Sequence, residues 1–192
     1  MKVHMSHSLE ETGEIAQNWL ISIADADNVS KSAEIDLNAE QSTEATVVGL
    51  SGHLGAGKTA FVKLAAKLLG VKEEVTSPTF VIMKMYEINS TRLAETVSST
   101  LKNEEENGGA KRAERLPIPG SKIPWRRLVH IDAYRLERPE ELEALNFDKL
   151  VADPCNLILV EWPENVELKK MLPESDELKF ELVDGAYRII VL

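Results

Sequence analysis

The eight residues Gly52-His-Leu-Gly-Ala-Gly57-Lys58-Thr59 constrain this chain more than any other stretch, because G-x-x-x-x-G-K-[ST] makes chemical sense only between a buried strand and a helix. Both flanks are present. Thr46 to Leu50 is apolar and β-branched at its front, and Phe61, Val62, Leu64, Ala65, Leu68 and Leu69 recur at helical spacing until Gly70 stops them. Gly52, Gly55 and Gly57 permit positive φ, so the loop N–H groups can close round an anion at the helix N-terminus, where the dipole also favours negative charge. The pattern predicts a phosphate-binding loop over Gly52, His53, Leu54, Gly55, Ala56, Gly57, Lys58, Thr59 and Ala60. Lys58 would meet the β/γ-phosphates and the Thr59 hydroxyl would meet Mg²⁺. Four constrained positions coincide by accident in about 1 of 100 chains of this length, so the flanking strand and helix decide against a glycine-rich turn with a surface lysine.

A length of 192 residues suits one domain with a substantial core. The formal charge of −10 argues against a nucleic-acid binder that works by its overall field, and no DNA contact is expected. The lone cysteine, Cys155, excludes an intrachain disulfide and a multi-cysteine zinc cluster. In DPCNLILVEW it reads as a small buried hydrophobe in a reducing compartment. The N-terminus lacks an apolar core typical of secretion signals and no run reaches membrane-spanning length, so a cytoplasmic protein without membrane contact is expected.

Taken in order, Ser8-Leu-Glu-Glu11 reads as a capping box opening a helix whose apolar face is Leu9, Ile15, Ala16, Trp19, Leu20 and Ile23, packed on the sheet edge. His4 and His7 lie in a polar tail without metal-ligand spacing. Residues 24–44 turn acidic and aperiodic and read as a loop or mobile insertion. A strand is expected from about Thr79 to Ile88. Residues 89–124 read as a long mobile insertion rich in Ser, Thr, Asn, Gly and Pro. Its end carries Lys111, Arg112, Arg115, Lys122, Arg126 and Arg127 against Glu114 alone, a patch for RNA or an acidic partner if it is not simply a solvated loop. Arg138 to Leu145 reads as a helix with Pro139 near its start, and Pro163 to Leu172 as a second, ended by Pro173. LKFELV and AYRIIVL around Asp184-Gly185 form a hairpin. The fold class is therefore α/β: a P-loop NTPase-like central sheet with flanking helices and a C-terminal antiparallel hairpin.

Leu128 to Asp132 and Leu157 to Glu161 are two apolar runs that each end in an acid, as strands do when they deliver carboxylates to the edge where open α/β sheets bind ligands. Phosphoryl chemistry needs an acid to hold Mg²⁺, directly or through water, and uses another group to place the attacking water. Thr76-Ser77-Pro78-Thr79 lies where phosphate-loop enzymes often carry a mobile segment with hydroxyl ligands, although a Pro-initiated turn explains it equally well.

In that order, LSGHLGAGKTAFVKLAAKLLG, TSPTF, HIDAYRL and VEWPE resemble the bacterial TsaE family, the ATPase component of tRNA threonylcarbamoyladenosine biosynthesis. The resemblance runs from Thr46 to the end apart from 89–124; the N-terminal helix matches only in kind, and 24–44 is not covered. It implies a small ATPase, using ATP and Mg²⁺, that joins two partner subunits, TsaB and TsaD. They transfer the threonylcarbamoyl group to an adenosine beside certain tRNA anticodons, and the tRNA would be met through the complex. ATP hydrolysis would support repeated turnover while a partner performs the transfer. Carried over by position, Lys58 would bind phosphates, Thr59 with Glu161 would hold Mg²⁺, and Asp132 would assist at the metal or the water. Thr76, Ser77 and Thr79 would form a switch-like segment. Tyr134, Arg135 and Trp162 would lie near the nucleotide or the partner surface. One departure is His53, which stands where the family usually has an acid.

Two other readings share the loop. A small-molecule or nucleoside kinase needs an arginine-bearing lid, for which Arg112, Arg115, Arg126 and Arg127 are candidates, but leaves HIDAYRL and EWPE unexplained. A nucleotide-gated binding protein would use ATP to order a docking surface. A GTPase lacks support, since Asn146-Phe-Asp-Lys149 has the letters of a guanine-reading motif in the wrong order. With only Arg135 available as a finger in cis, hydrolysis by the chain alone should be slow, a missing finger being worth about 10³ to 10⁵ in rate.

Overall fold

Short β-branched runs and one period-3.6 segment dictate the centre of this molecule, which a computed structural model describes over residues 2–32, 44–88, 123–183 and 186–191. The strands are β1 (Lys2–Ser6), β2 (Thr46–Gly52), β3 (Met83–Glu87), β4 (Arg127–Asp132), β5 (Asn156–Glu161), β6 (Asp176–Val183) and β7 (Ala186–Val191). They form one sheet in the order β1-β7-β6-β2-β5-β4-β3. β6, β2, β5 and β4 run parallel to their neighbours within this group, while β3 closes one edge and β7 and β1 the other, all antiparallel. The parallel group puts the C-terminal ends of β2, β4 and β5 side by side, with Leu50 and Asp132 both opposite Glu161.

Alternation along the strands splits the core. Val48, Leu50, Leu128, Leu157 and Leu159 face α1 (Leu9–Ser32) and α2 (Lys58–Leu68), joining Trp19, Phe61 and Phe180. Val47, Val129, Ile131, Ile158 and Val160 face the other side, against Leu142, Phe147, Val166 and Leu168. That second layer is built from the short helices α3 (Glu140–Glu143), α4 (Phe147–Val151) and α5 (Leu168–Met171) and two 3₁₀ turns, Ala133–Arg135 and Pro163–Val166.

Several expectations are corrected. α1 opens as expected, the Glu11 N–H donating to Ser8 Oγ at 3.1 Å, but the Glu11 carboxylate reaches back to the His7 N–H at 2.7 Å. The helix continues through the first part of the stretch read as an insertion, to Ser32; residues 33–43 lie outside the described ones. It packs chiefly on α2 rather than on the sheet edge, Trp19 meeting Phe61 with ring centroids 5.2 Å apart, and Leu9 is exposed. β1 went unread because a polar tail with two histidines carries no clear alternation; it forms by backbone pairing to β7. β3 begins at Met83, four residues late, since Val81 and Ile82 donate back to the Pro78 carbonyl and Ile82 sits at φ 66°. The helix expected from Arg138 to Leu145 is shorter, Glu140–Glu143, and α4, unread from sequence, follows beyond it after Asn146 at φ 55°. The helix expected from Pro163 to Leu172 is split at Glu167, φ 50°. Cys155 is half-buried, not buried. Residues 89–122 lie outside the described ones, but Ile123 already packs on the core. The β6–β7 hairpin forms in the expected register, Val183 opposite Ala186.

Candidate functional site

β2 leads into the loop and α2 leads out of it. Gly52, Gly55 and Gly57 all take positive φ, at 135°, 80° and 102°. At Gly52 the reason lies in the sheet as well as in the loop: a Cβ there would stand 2.1 Å from the Phe180 carbonyl oxygen on β6. At Gly55 a Cβ would meet nothing within 4 Å, so that side of the loop is open. Gly57 starts α2 in the left-handed region with no side-chain cap and no acid in the first turn, leaving the helix start to an external anion.

Lys58 is 4% exposed and folds back over its own loop. Its Nζ donates to the carbonyls of Gly52 at 2.6 Å and His53 at 3.1 Å, and lies 3.8 Å from the centre of the Trp162 ring. Burial pulls its pKa below the ordinary lysine value, opposed by Glu161 and, more weakly, Glu164 and Asp132. Thr59 Oγ1 points at Glu161, 2.8 Å from Oε1 and 2.9 Å from Oε2, joining α2 to the end of β5. Glu161 is 2% exposed and Asp132 4% exposed on the neighbouring strand. Asp132 Oδ1 caps the following 3₁₀ turn through the Tyr134 N–H at 3.1 Å, while Oδ2 accepts from Ser77 Oγ at 3.1 Å and Thr79 Oγ1 at 2.5 Å. The segment from 76 to 79 is thus tied to the end of β4.

The remaining residues expected at the site divide into two groups. Trp162 sits at φ 59°, a costly conformation for a non-glycine residue, which turns its ring over Lys58 and against Tyr134 at 5.2 Å. Arg135 is exposed and lies 4.5 Å over the exposed Phe80 ring, at the rim of the site. Thr76 accepts from the Lys84 ammonium at 2.5 Å instead of joining Ser77 and Thr79 on Asp132. His53 and Leu54 are exposed on the loop; Ala56 is buried and bonds back to the His53 carbonyl at 3.1 Å. Arg127 and, just before it, Arg126, proposed lid residues in the kinase reading, lie at the opposite end of β4, Arg127 about 16 Å from Asp132 at a strand rise of about 3.3 Å per residue. Arg127 is held there by Asp153. Arg112 and Arg115 lie outside the described residues.

One site residue escaped the reading of the sequence. His130 is fully buried beside Glu161, with Nε2 2.8 Å from Glu161 Oε1. The available signals were its place at the head of the HIDAYRL motif, where no role was given to it, and its being a polar residue in the apolar run Leu128 to Ile131, two positions before Asp132 and so on the same face.

A Mg²⁺ site fits the donors present. Among the described residues no cluster of three or more His, Cys, Asp or Glu is placed to hold a metal. Mg²⁺ needs no such cage, because it is commonly held by one or two protein oxygens together with waters and substrate phosphates. The Thr59 hydroxyl and the Glu161 carboxylate supply such hard oxygen donors.

Comparison with known proteins identifies the family. The family model described as threonylcarbamoyl adenosine biosynthesis protein TsaE matches residues 22–98 and 120–189. The unmatched 99–119 falls within the expected insertion, while the match from residue 22 takes in the stretch that the motifs had left uncovered. A TsaE protein of Streptomyces coelicolor is 35% identical over 119 residues, 62% of this chain and 57% of its own length. The Mycobacterium bovis protein is 32% identical, covering 66% and 59%, and that of Rickettsia typhi 27%, covering 74% of each. The chain therefore spans under two thirds of some relatives' length. The crystal structure of Bacillus subtilis YdiB superposes with a TM-score of 0.52 at 23% identity, over 99% of this chain and 83% of that one, and supports the P-loop NTPase-like fold. By the extent of the family match and the motifs it contains, this chain belongs to the TsaE family of tRNA threonylcarbamoyladenosine biosynthesis.

Proposed function

We propose that the chain binds Mg·ATP at the loop and hydrolyses it to support turnover of a tRNA threonylcarbamoyladenosine-forming complex with TsaB- and TsaD-type subunits. The observation that carries this reading is the Thr59 hydroxyl bonded to both oxygens of the buried Glu161, directly behind a glycine loop that opens an uncapped helix. Lys58 exchanges two carbonyl partners for phosphate oxygens, and the loop N–H groups share the charge that develops on them. Thr59 and Glu161 would hold Mg²⁺, which when bound would supply charge stabilisation to the phosphate oxygens. Asp132 orients water, and its bonds to Ser77 and Thr79 make the 76–79 segment responsive to what occupies the site. No arginine is placed over the loop among the described residues; Arg135 stacks on Phe80 at its rim.

The test is equilibrium ATP binding and single-turnover hydrolysis. Lys58→Ala should lose tight binding, whereas Glu161→Gln should keep ATP affinity within a few fold and lose most of the hydrolysis. Normal hydrolysis by Glu161→Gln would remove the metal assignment. Release of ADP driven by a small phosphate acceptor would establish a kinase instead.

A further inference from the structure

Glu161 has two oxygens and two donors, and the donors are unlike. Thr59 carries one hydroxyl hydrogen shared between Oε1 and Oε2, and its oxygen would serve a bound metal through a lone pair. His130 is fixed on β4 at 0% exposure, one diagonal step across the sheet, and reaches Oε1 alone at 2.8 Å. Its Nδ1 is buried with no hydrogen-bond partner. A hydrogen on Nδ1 would be a buried donor without an acceptor and would turn the Nε2 lone pair toward a carboxylate oxygen. A hydrogen on Nε2 leaves only an unused acceptor.

Resting on the Mg·ATP reading above, we propose that His130 is a positioning residue: its Nε2–H pins Oε1 of Glu161 and so leaves Oε2 as the oxygen offered to the metal. Partners that orient a metal ligand in this way typically change metal affinity by about 10- to 100-fold when removed. Among the described residues the ring's hydrogen bond runs to Glu161 and none runs to the loop, Lys58 or Thr59, so its loss should leave nucleotide affinity without metal unchanged.

Two measurements test this on the full chain. The first needs no variant: ring ¹⁵N–¹H correlation of the ligand-free protein should show His130 as the Nε2–H tautomer, with its signals displaced in Glu161→Gln. An Nδ1–H tautomer, or signals indifferent to Glu161→Gln, would overturn the proposal. The second is ATP binding by calorimetry over a Mg²⁺ series and in EDTA. His130→Leu should raise the Mg²⁺ needed for half-maximal enhancement about 10-fold or more, with EDTA affinity intact. His130→Gln, which keeps an amide N–H at comparable reach, should restore it to within a few fold. Equal Mg²⁺ dependence in wild type and His130→Leu, or an equal loss with and without Mg²⁺, would refute the positioning role. A wild-type chain showing no Mg²⁺-dependent ATP binding would instead sink the parent reading, and the tautomer result would still decide whether His130 holds Glu161.

Discussion

Lys58 shows how a single residue can be built for a ligand at a cost to the ligand-free fold. Its buried ammonium releases its proton below the ordinary lysine pKa, because desolvation outweighs the pull of Glu161. The unfolded chain keeps that proton to higher pH. Between the two pKa values the unfolded state therefore binds more protons, and stability rises with pH. Thermal melts of wild type and Lys58→Met should accordingly diverge in slope, the wild type gaining relative to the variant as pH rises through that window; parallel pH profiles would contradict the burial cost. His53 differs in kind. Its side chain is exposed and only its carbonyl serves the loop, accepting from Lys58 and Ala56. His53→Asp should leave that carbonyl in place and add a negative charge near the triphosphate, so it should change the hydrolysis rate more than ATP affinity. A larger effect on affinity, read by calorimetry beside single-turnover rates, would refute this.

At the level of elements, α2 carries the loop and α1 steadies α2. Trp19, Phe61 and Phe180 form a continuous aromatic run from α1 through α2 to the sheet, with centroids 5.2 and 5.4 Å apart. Gly13, inside α1, faces Leu64 on α2, and a Cβ there would stand 3.8 Å from Leu64 Cδ2, an ordinary contact. Gly13→Ala should therefore stabilise the chain by about 0.5–1 kcal/mol through lost unfolded-state freedom, measured by denaturant melts; a destabilised variant would mean that α1 sits closer to α2 than described. The loop, β2, α2, β4 and β5 were legible in the sequence because each rests on a local pattern: glycine spacing, helical period, an apolar run ended by an acid. β1, α4 and the break at Glu167 were not, because pairing to a distant strand and single left-handed residues such as Asn146 leave no periodic trace. His130 was hidden for a related reason. Its partner Glu161 is 31 residues away, and only the parallel register of β4 and β5 brings the two together.

For the whole molecule, topology separates two regions. The C-terminal edge of the parallel strands gathers Lys58, Thr59, Asp132 and Glu161, while the N-terminal edge holds Arg127 against Asp153. That separation weakens the kinase reading, since Arg126 and Arg127 are too far from the loop to close over it. The site is ringed instead by Leu54, Phe80 and Tyr134, which are 79%, 85% and 48% exposed. A site complete in lysine, hydroxyl and carboxylates but, among the described residues, without an arginine over the loop should turn over slowly by itself, by the margin of about 10³ to 10⁵ that such a group supplies. The most direct test is Mg·ATP hydrolysis by the purified chain, alone and then with TsaB, TsaD and tRNA. Slow hydrolysis that rises steeply only when the protein partners are added is the predicted result. Fast hydrolysis by the chain alone, or tight Mg·ATP binding with no hydrolysis even in the assembled complex, would contradict the account.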